Sequence, residues 1–178
     1  MKLDKGLVQV YCGNGKGKTT AAIGLGIRAI GRDFKVIMIQ FLKHADTGEA
    51  KTLKLLEPKF KVFHFEKPRG FTWTLTPEER EEKKTEIKNA INFARKVLDT
   101  GECDILILDE ILGAIQAGFV KEEEICQLID NKLEGTELVL TGRVLPDSIA
   151  QRADYISEIQ AVKHPMTHGV AAREGIEH

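Results

Sequence analysis

The sequence predicts an α/β fold, a mostly parallel central sheet flanked by helices, in one domain spanning residues 1–178. Three observations predict it. Short apolar runs alternate with stretches of helical periodicity, as βα units require. Two of those runs, residues 104–108 and 137–141, are apolar almost throughout, the composition of strands covered on both faces. A glycine-rich stretch, residues 13–20, stands between the first apolar run and the first helical segment. Composition agrees, since 42% hydrophobic and 30% charged residues are ordinary for a globular chain and 178 residues bury a substantial core.

The first strand is Leu7-Val8-Gln9-Val10-Tyr11, and the first helix opens into Ala21-Ala22-Ile23-Gly24-Leu25. Between them lies Gly13-Asn14-Gly15-Lys16-Gly17-Lys18-Thr19-Thr20, the strand–loop–helix context of a phosphate-binding P-loop. Its glycines let backbone amides converge on an anion, and the helix adds its positive dipole end. Lys18 then reaches the phosphates and the Thr19 hydroxyl ligates magnesium. The strict pattern wants glycine where this chain has Cys12, and glycine falls at Gly13 instead. A nucleoside triphosphate is the expected ligand.

The second strand, residues 35–41, is entered from Gly31, and a third, residues 59–65, alternates Phe60, Val62, Phe63 and Phe65 with polar residues. Residues 42–53 and 66–75 read as irregular, and long loops in α/β domains carry sites. A long surface helix begins at Thr76: Thr76 is the N-cap, Pro77 the first helical residue, and Glu79 completes a capping box. Ile87, Ala90, Ile91, Ala94, Val97 and Leu98 share one face, and Gly101 stops the helix. Its charged first turns, residues 78–84, form a solvated face.

The strand at residues 104–108 ends in Asp109-Glu110, the Walker B arrangement that sets carboxylates beside a P-loop to hold magnesium or its waters. With the P-loop it predicts a P-loop NTPase (RecA-like) fold. Residues 121–133 form a further helix with Ile125, Leu128, Ile129 and Leu133 inward, and residues 155–162 close the sheet. Arg143, just after the strand at 137–141, is placed to clamp phosphate. Gly70-Phe71-Thr72-Trp73 sets two aromatic side chains two residues apart in a proline-flanked loop; they either plug the core or meet a flat apolar ligand.

Other functions are disfavoured. A net charge of −1 gives no global field for nucleic acid or an anionic membrane, and no apolar run is long enough to span a bilayer. Met1-Lys2-Leu3-Asp4-Lys5 lacks the apolar core of a signal peptide, and Cys12, Cys103 and Cys126 read as free thiols, so a reducing cytoplasm is expected. His164 and His168 stand four apart, but Pro165 lies between them and no metal site is expected there.

Taken together, these residues resemble the P-loop type of ATP:corrinoid adenosyltransferase, the cob(I)yrinic acid a,c-diamide or cob(I)alamin adenosyltransferases. The resemblance covers essentially the whole chain. It rests on the loop from Gly13 to Thr20 with Ala21-Ala22, on Gln40-Phe41-Leu42-Lys43 with Gly48-Glu49, and on Gly70-Phe71-Thr72-Trp73. It continues through Leu108-Asp109-Glu110, Leu140-Thr141-Gly142-Arg143, Ala153-Asp154 and Val162-Lys163-His164-Pro165 with Gly169-Val170. The chain departs from it at His44-Ala45-Asp46-Thr47, where relatives often carry a glycine after the lysine. Only twelve residues precede Gly13, so the N-terminal lid of some members is expected to be shorter or absent.

The resemblance implies that a cobalt(I) corrinoid attacks the 5′ carbon of ATP and inorganic triphosphate leaves, in adenosylcobalamin biosynthesis or salvage. It implies ATP lying reversed in the loop and contacted by Asn14, Lys16 and Thr20, with Arg28, one to two turns into the helix, in the nucleotide pocket. Magnesium (or manganese) falls to Thr19 and Glu110, with Asp109 as the other candidate, and the corrinoid to Phe71 and Trp73. A homodimer and an electron-donating flavoprotein partner are also implied. Two rival classes share the same loop: a phosphoryl-transferring kinase or ATPase, and a nucleotide-dependent binding module whose aromatic residues dock a protein.

Overall fold

Six five- or four-residue strands, each with apolar residues at the pitch of a pleated sheet, set the architecture of the computed structural model, which describes residues 3–43, 47–69 and 74–177. The strands are β1 (Val8–Cys12), β2 (Val36–Gln40), β3 (Phe60–His64), β4 (Ile105–Asp109), β5 (Glu137–Thr141) and β6 (Tyr155–Glu158). They run in the order β3-β2-β4-β5-β1-β6, and every pairing is parallel. The mostly parallel sheet expected from the sequence is therefore wholly parallel among the described residues. One strand, β5, separates the P-loop strand β1 from the acidic strand β4. All five residues of β2, β4 and β5 are buried, whereas all four of the edge strand β6 are exposed.

The two faces of the sheet carry separate cores, because alternate strand residues point opposite ways. Ile37, Ile39, Leu106 and Leu108 pack against the helix α3 (Pro77–Thr100) and the later helices α4 (Ile111–Gln116) and α5 (Glu122–Asn131). Val36, Met38, Ile105 and Ile107 pack against Ala22 and Ala29 of α1 (Lys18–Ile30) and against Phe60. Each fully buried side chain of this kind stabilises the fold by about 1.5–3 kcal/mol. Three free cysteines are buried, and burial pushes the Cys103 thiol up to about 12, so it stays protonated. No helix among the described residues is long and apolar enough to cross a membrane.

The long helix α3 forms as its sequence dictates. Glu79 N–H donates to Thr76 Oγ1 and Thr76 N–H donates to Glu79 Oε2, the two arms of the capping box. Ile87, Ala90, Ile91, Ala94, Val97 and Leu98 are all buried, and Gly101, at a φ of 61°, closes the helix onto the Val97 carbonyl. The second His of the pair at 164 and 168 closes a short 3-10 turn, Pro165–His168, capped by the first, with no helix common to both.

Four details differ from the sequence reading. Residues 42–53 are not irregular throughout: α2 (Gly48–Leu53) forms behind Thr47, whose hydroxyl accepts from the Ala50 N–H. Six residues are too few to show a helical period. The last strand ends at Glu158 and not at residue 162. Leu133 is 43% exposed, because α5 ends at Asn131 and the extended Lys132 turns the chain off the helix axis. Two short helices, α4 and α6 (Asp147–Ala150), had no pattern to announce them. Gly70, Phe71 and Trp73 lie outside the described residues, so the choice between core plug and ligand contact is not made by the fold.

Candidate active site

The P-loop begins one residue later than the strict pattern, and the reason is geometric. Cys12 is still strand, paired with Glu158 and buried. The chain leaves the strand at Gly13, whose φ is 99° and where a Cβ would collide with the Ile159 carbonyl oxygen. Two loop amides are tied down by neighbouring strand ends: Gly13 N–H donates to Arg143 O at 2.9 Å and Gly15 N–H to Ile159 O at 2.7 Å. Gly17, at a φ of 116°, caps α1. The first turn of α1 has neither a capping side chain nor an acidic residue, which leaves its amides and dipole for an anion.

Behind the loop, one carboxylate collects the ends of three strands. Asp109, fully buried at the end of β4, accepts at Oδ1 from Thr19 Oγ1 (2.9 Å) and Thr141 Oγ1 (2.7 Å). Its Oδ2 accepts from Gln40 Nε2 (3.1 Å) and Lys43 Nζ (2.7 Å). Parallel register brings these groups together, since Gln40 lies opposite Asp109 across the β2–β4 pair and Thr141 ends β5. His64, at the end of β3, extends the row with a 2.7 Å hydrogen bond between its Nε2 and Gln40 Oε1. Burial holds the His64 imidazole below its ordinary pKa, so it favours the neutral form.

Glu110 has a different setting from its neighbour. It takes a left-handed backbone, φ 62°, at the start of α4, and its N–H donates to Thr141 Oγ1 at 2.8 Å. Burial first, and then the charge of Asp109, push its carboxyl above the ordinary value, against the pull of Lys43, Lys18 and Arg143. Lys18 rests on the loop itself, donating to Gly15 O at 2.7 Å, with its ammonium destabilised mainly by burial. Such a site gains from added charge of both signs: a cation beside Glu110 and an anion beside Lys18.

The donors present suit magnesium. They are hard oxygens, the Thr19 hydroxyl and the Asp109 and Glu110 carboxylates, and Thr19 can keep donating to Asp109 while its lone pair faces a metal. No group of three or more His, Cys, Asp or Glu ready to cage a metal occurs among the described residues, and magnesium shared with phosphates and water needs none.

The other expected residues are spread more widely. Arg143 is exposed and lines a pocket of about 420 Å³ with Gly13, Asn14, Glu158, Gln160 and Ala161. Asn14 Oδ1 accepts from Ala161 N–H at 3.0 Å, and Lys16 meets Glu177 at 3.3 Å. Thr20 is exposed on the first turn of α1. Arg28 sits in the last turn of α1, not one to two turns in, where its charge is felt by Tyr11. At about 1.5 Å per residue it stands roughly 15 Å along the axis from Lys18, so the fold does not gather it with the P-loop cluster.

Sequence reading assigned no role to Gln40, Lys43, Thr141 or His64. A signal existed for two of them: Gln40 and Thr141 are polar residues that close buried strands directly after an apolar run.

Residues 4–178 match the family model described as ATP:corrinoid adenosyltransferase BtuR/CobO/CobP. The chain belongs to the ATP:corrinoid adenosyltransferase family. It is similar to the corrinoid adenosyltransferase of Escherichia coli (strain K12), 32% identical over 176 residues that cover 98% of this chain and 87% of the relative. The corrinoid adenosyltransferase of Pseudomonas aeruginosa is 31% identical over 175 residues, 98% of this chain and 84% of that one. Corrinoid adenosyltransferase CobA of Salmonella typhimurium is 31% identical over 176 residues, 98% and 87%. As a member of this family the chain is an enzyme, a transferase of the adenosyl group from ATP to a corrinoid, which sets aside the kinase and binding-module readings.

Proposed function

We propose that the P-loop and the Asp109 cluster hold the triphosphate of ATP while its 5′ carbon is left open to a cobalt(I) corrinoid, which displaces inorganic triphosphate. The convergence of Thr19, Thr141, Gln40 and Lys43 on buried Asp109, beside the first turn of α1 with no capping side chain, carries this reading. Cobalt(I) is itself the nucleophile, so the chain needs no general base. Its tasks are to orient the 5′ carbon and to stabilise charge growing on the leaving group. Lys18, the amides of residues 13–20 and Arg143 serve the second task, with Asn14, Lys16 and Thr20 as further nucleotide contacts. Thr19, Glu110 and Asp109 hold magnesium, which when bound supplies positive charge to the departing triphosphate.

Phe71 and Trp73 are assigned to the corrinoid. Hydrophobic and unable to coordinate, they press on the lower face and displace the axial ligand, which makes cobalt(II) easier to reduce. Trp73→Ala should then keep ATP affinity and thermal stability, and lose far more activity from cobalt(II) than from chemically generated cobalt(I). A core role would instead cost about 3–5 kcal/mol of stability with cobalt(II) activity kept in the folded fraction. The same reading includes a homodimer, a flavoprotein electron donor and a cytoplasmic site of action in adenosylcobalamin biosynthesis or salvage.

Product analysis after incubation with MgATP and reduced corrinoid tests the function. Adenosylcorrinoid and triphosphate in equal amounts are expected; ADP, or unchanged ATP, overturns the reading.

A further inference from the structure

Lys43 Nζ lies 2.7 Å from Thr19 Oγ1 and 2.7 Å from Asp109 Oδ2. Those are the oxygens a P-loop site offers to a divalent cation, so an ammonium of the chain itself stands where the metal's protein partners converge. A quarter of its side chain is exposed, which gives the ammonium a way out.

The backbone takes an uncommon route to put it there. Leu42 has a φ of 57°, a left-handed conformation that a branched apolar residue rarely adopts. Its N–H donates to Glu66 Oε1 at 2.8 Å. The other carboxylate oxygen, Glu66 Oε2, lies 2.7 Å from Lys83 Nζ on α3, and the two side chains are only 4% and 8% exposed. Oε2 makes no aligned hydrogen bond, so it meets Lys83 as an ion pair. A buried ion pair adds little net stability over apolar residues of the same size. What this one does is fix a conformation: it holds the Leu42 amide, and so the start of Lys43, against the segment after β3 and against α3.

We propose that Lys43 is a positioning residue of the nucleotide site, an internal counter-ion that occupies the Asp109–Thr19 metal position until magnesium arrives with the nucleotide, and that the buried Glu66–Lys83 pair delivers it there. The proposal rests on the magnesium assignment made above. Two cations cannot share one position, so Lys43 and magnesium are negatively coupled, and the coupling is reciprocal. The empty site never presents a bare buried carboxylate, and the metal is admitted only at the cost of displacing the ammonium.

The test uses the full-length protein and no corrinoid. ATP affinity is measured by calorimetry across a series of magnesium concentrations for the parent, Lys43→Met, Glu66→Gln and the double variant. Half-saturating magnesium should fall about fivefold or more in Lys43→Met. It should fall in the same direction in Glu66→Gln, and no further in the double variant than in Lys43→Met alone. Half-saturation equal to or above the parent's in Lys43→Met overturns the exchange. Full additivity of the two changes overturns the delivery role. If Glu66→Gln does not fold, Glu66→Leu with Lys83→Met removes both buried charges together and is held to the same outcomes. A parent that binds ATP with no magnesium dependence defeats the underlying metal assignment, a result distinct from either of these.

Discussion

The P-loop is flanked by two regions built on opposite principles. Thr19 faces the Asp109 cluster, where Asp109 is fully buried and accepts four hydrogen bonds from side chains on two strand ends, the first turn of α1 and the loop after β2. Gly13 and Asn14 face the lip after β5 and β6, where Arg143, Glu158 and Gln160 are exposed around an open pocket. A fully satisfied polar network in low dielectric is rigid and its charges act strongly. An exposed lip adapts its side chains at little cost but gives weaker, screened interactions. The first suits a triphosphate and its metal, whose charges must be met at fixed points, and the second suits the variable remainder of a substrate.

The comparison is broken most directly at Lys18. Lys18→Ala should lower kcat on the order of 10²–10³-fold, about 3–4 kcal/mol of leaving-group stabilisation, with an unchanged melting temperature. Normal turnover at saturating ATP would remove it from catalysis. Asp109→Asn should strike both stability and activity. The amide withdraws one acceptor from a buried network and leaves Lys43 unpaired, at a cost of about 2–3 kcal/mol in urea unfolding. A loss below roughly 0.5 kcal/mol would mean that the cluster is not the rigid element described.

At the lip the effect should be kinetic alone. Arg143→Ala should raise KM for ATP by about tenfold with stability unchanged to within roughly 0.5 kcal/mol, the behaviour of an exposed residue. Equal kinetics in parent and variant would remove Arg143 from the nucleotide site. Glu110→Gln gives the smallest change and a definite sign. Its carboxyl titrates above the ordinary 4.5 in the fold, so its stabilising contribution is full below that value and is lost as pH rises through the folded one. Without metal, the stability of the variant relative to the parent should therefore rise as pH rises above 4.5, while its magnesium dependence weakens. A stability difference between variant and parent that does not change with pH would contradict this.

The same contrast explains what the sequence made legible. The strand–glycine–helix run at 13–20, the acidic end of β4 and the capping box at Thr76 are local signals, each complete within a dozen residues. The partners of Asp109 are not local. Gln40, Lys43 and Thr141 join it only because the strand order sets β2 and β5 on either side of β4. Lys43 further depends on a left-handed Leu42 that no sequence rule anticipates. Arg28 stands apart from that cluster for the converse reason, since nearness in sequence to the loop becomes distance along a straight helix.

On the proposed function, the Asp109 side of the P-loop is a triphosphate site independent of the rest of the substrate. Binding of inorganic triphosphate with magnesium, in competition with ATP and measured by calorimetry, tests it most directly. Triphosphate should displace ATP completely from the parent, equally well from Arg143→Ala relative to its own ATP affinity, and bind at least about a hundredfold more weakly to Lys18→Ala. Triphosphate that fails to compete with ATP, or that binds Lys18→Ala as tightly as the parent, would contradict the account.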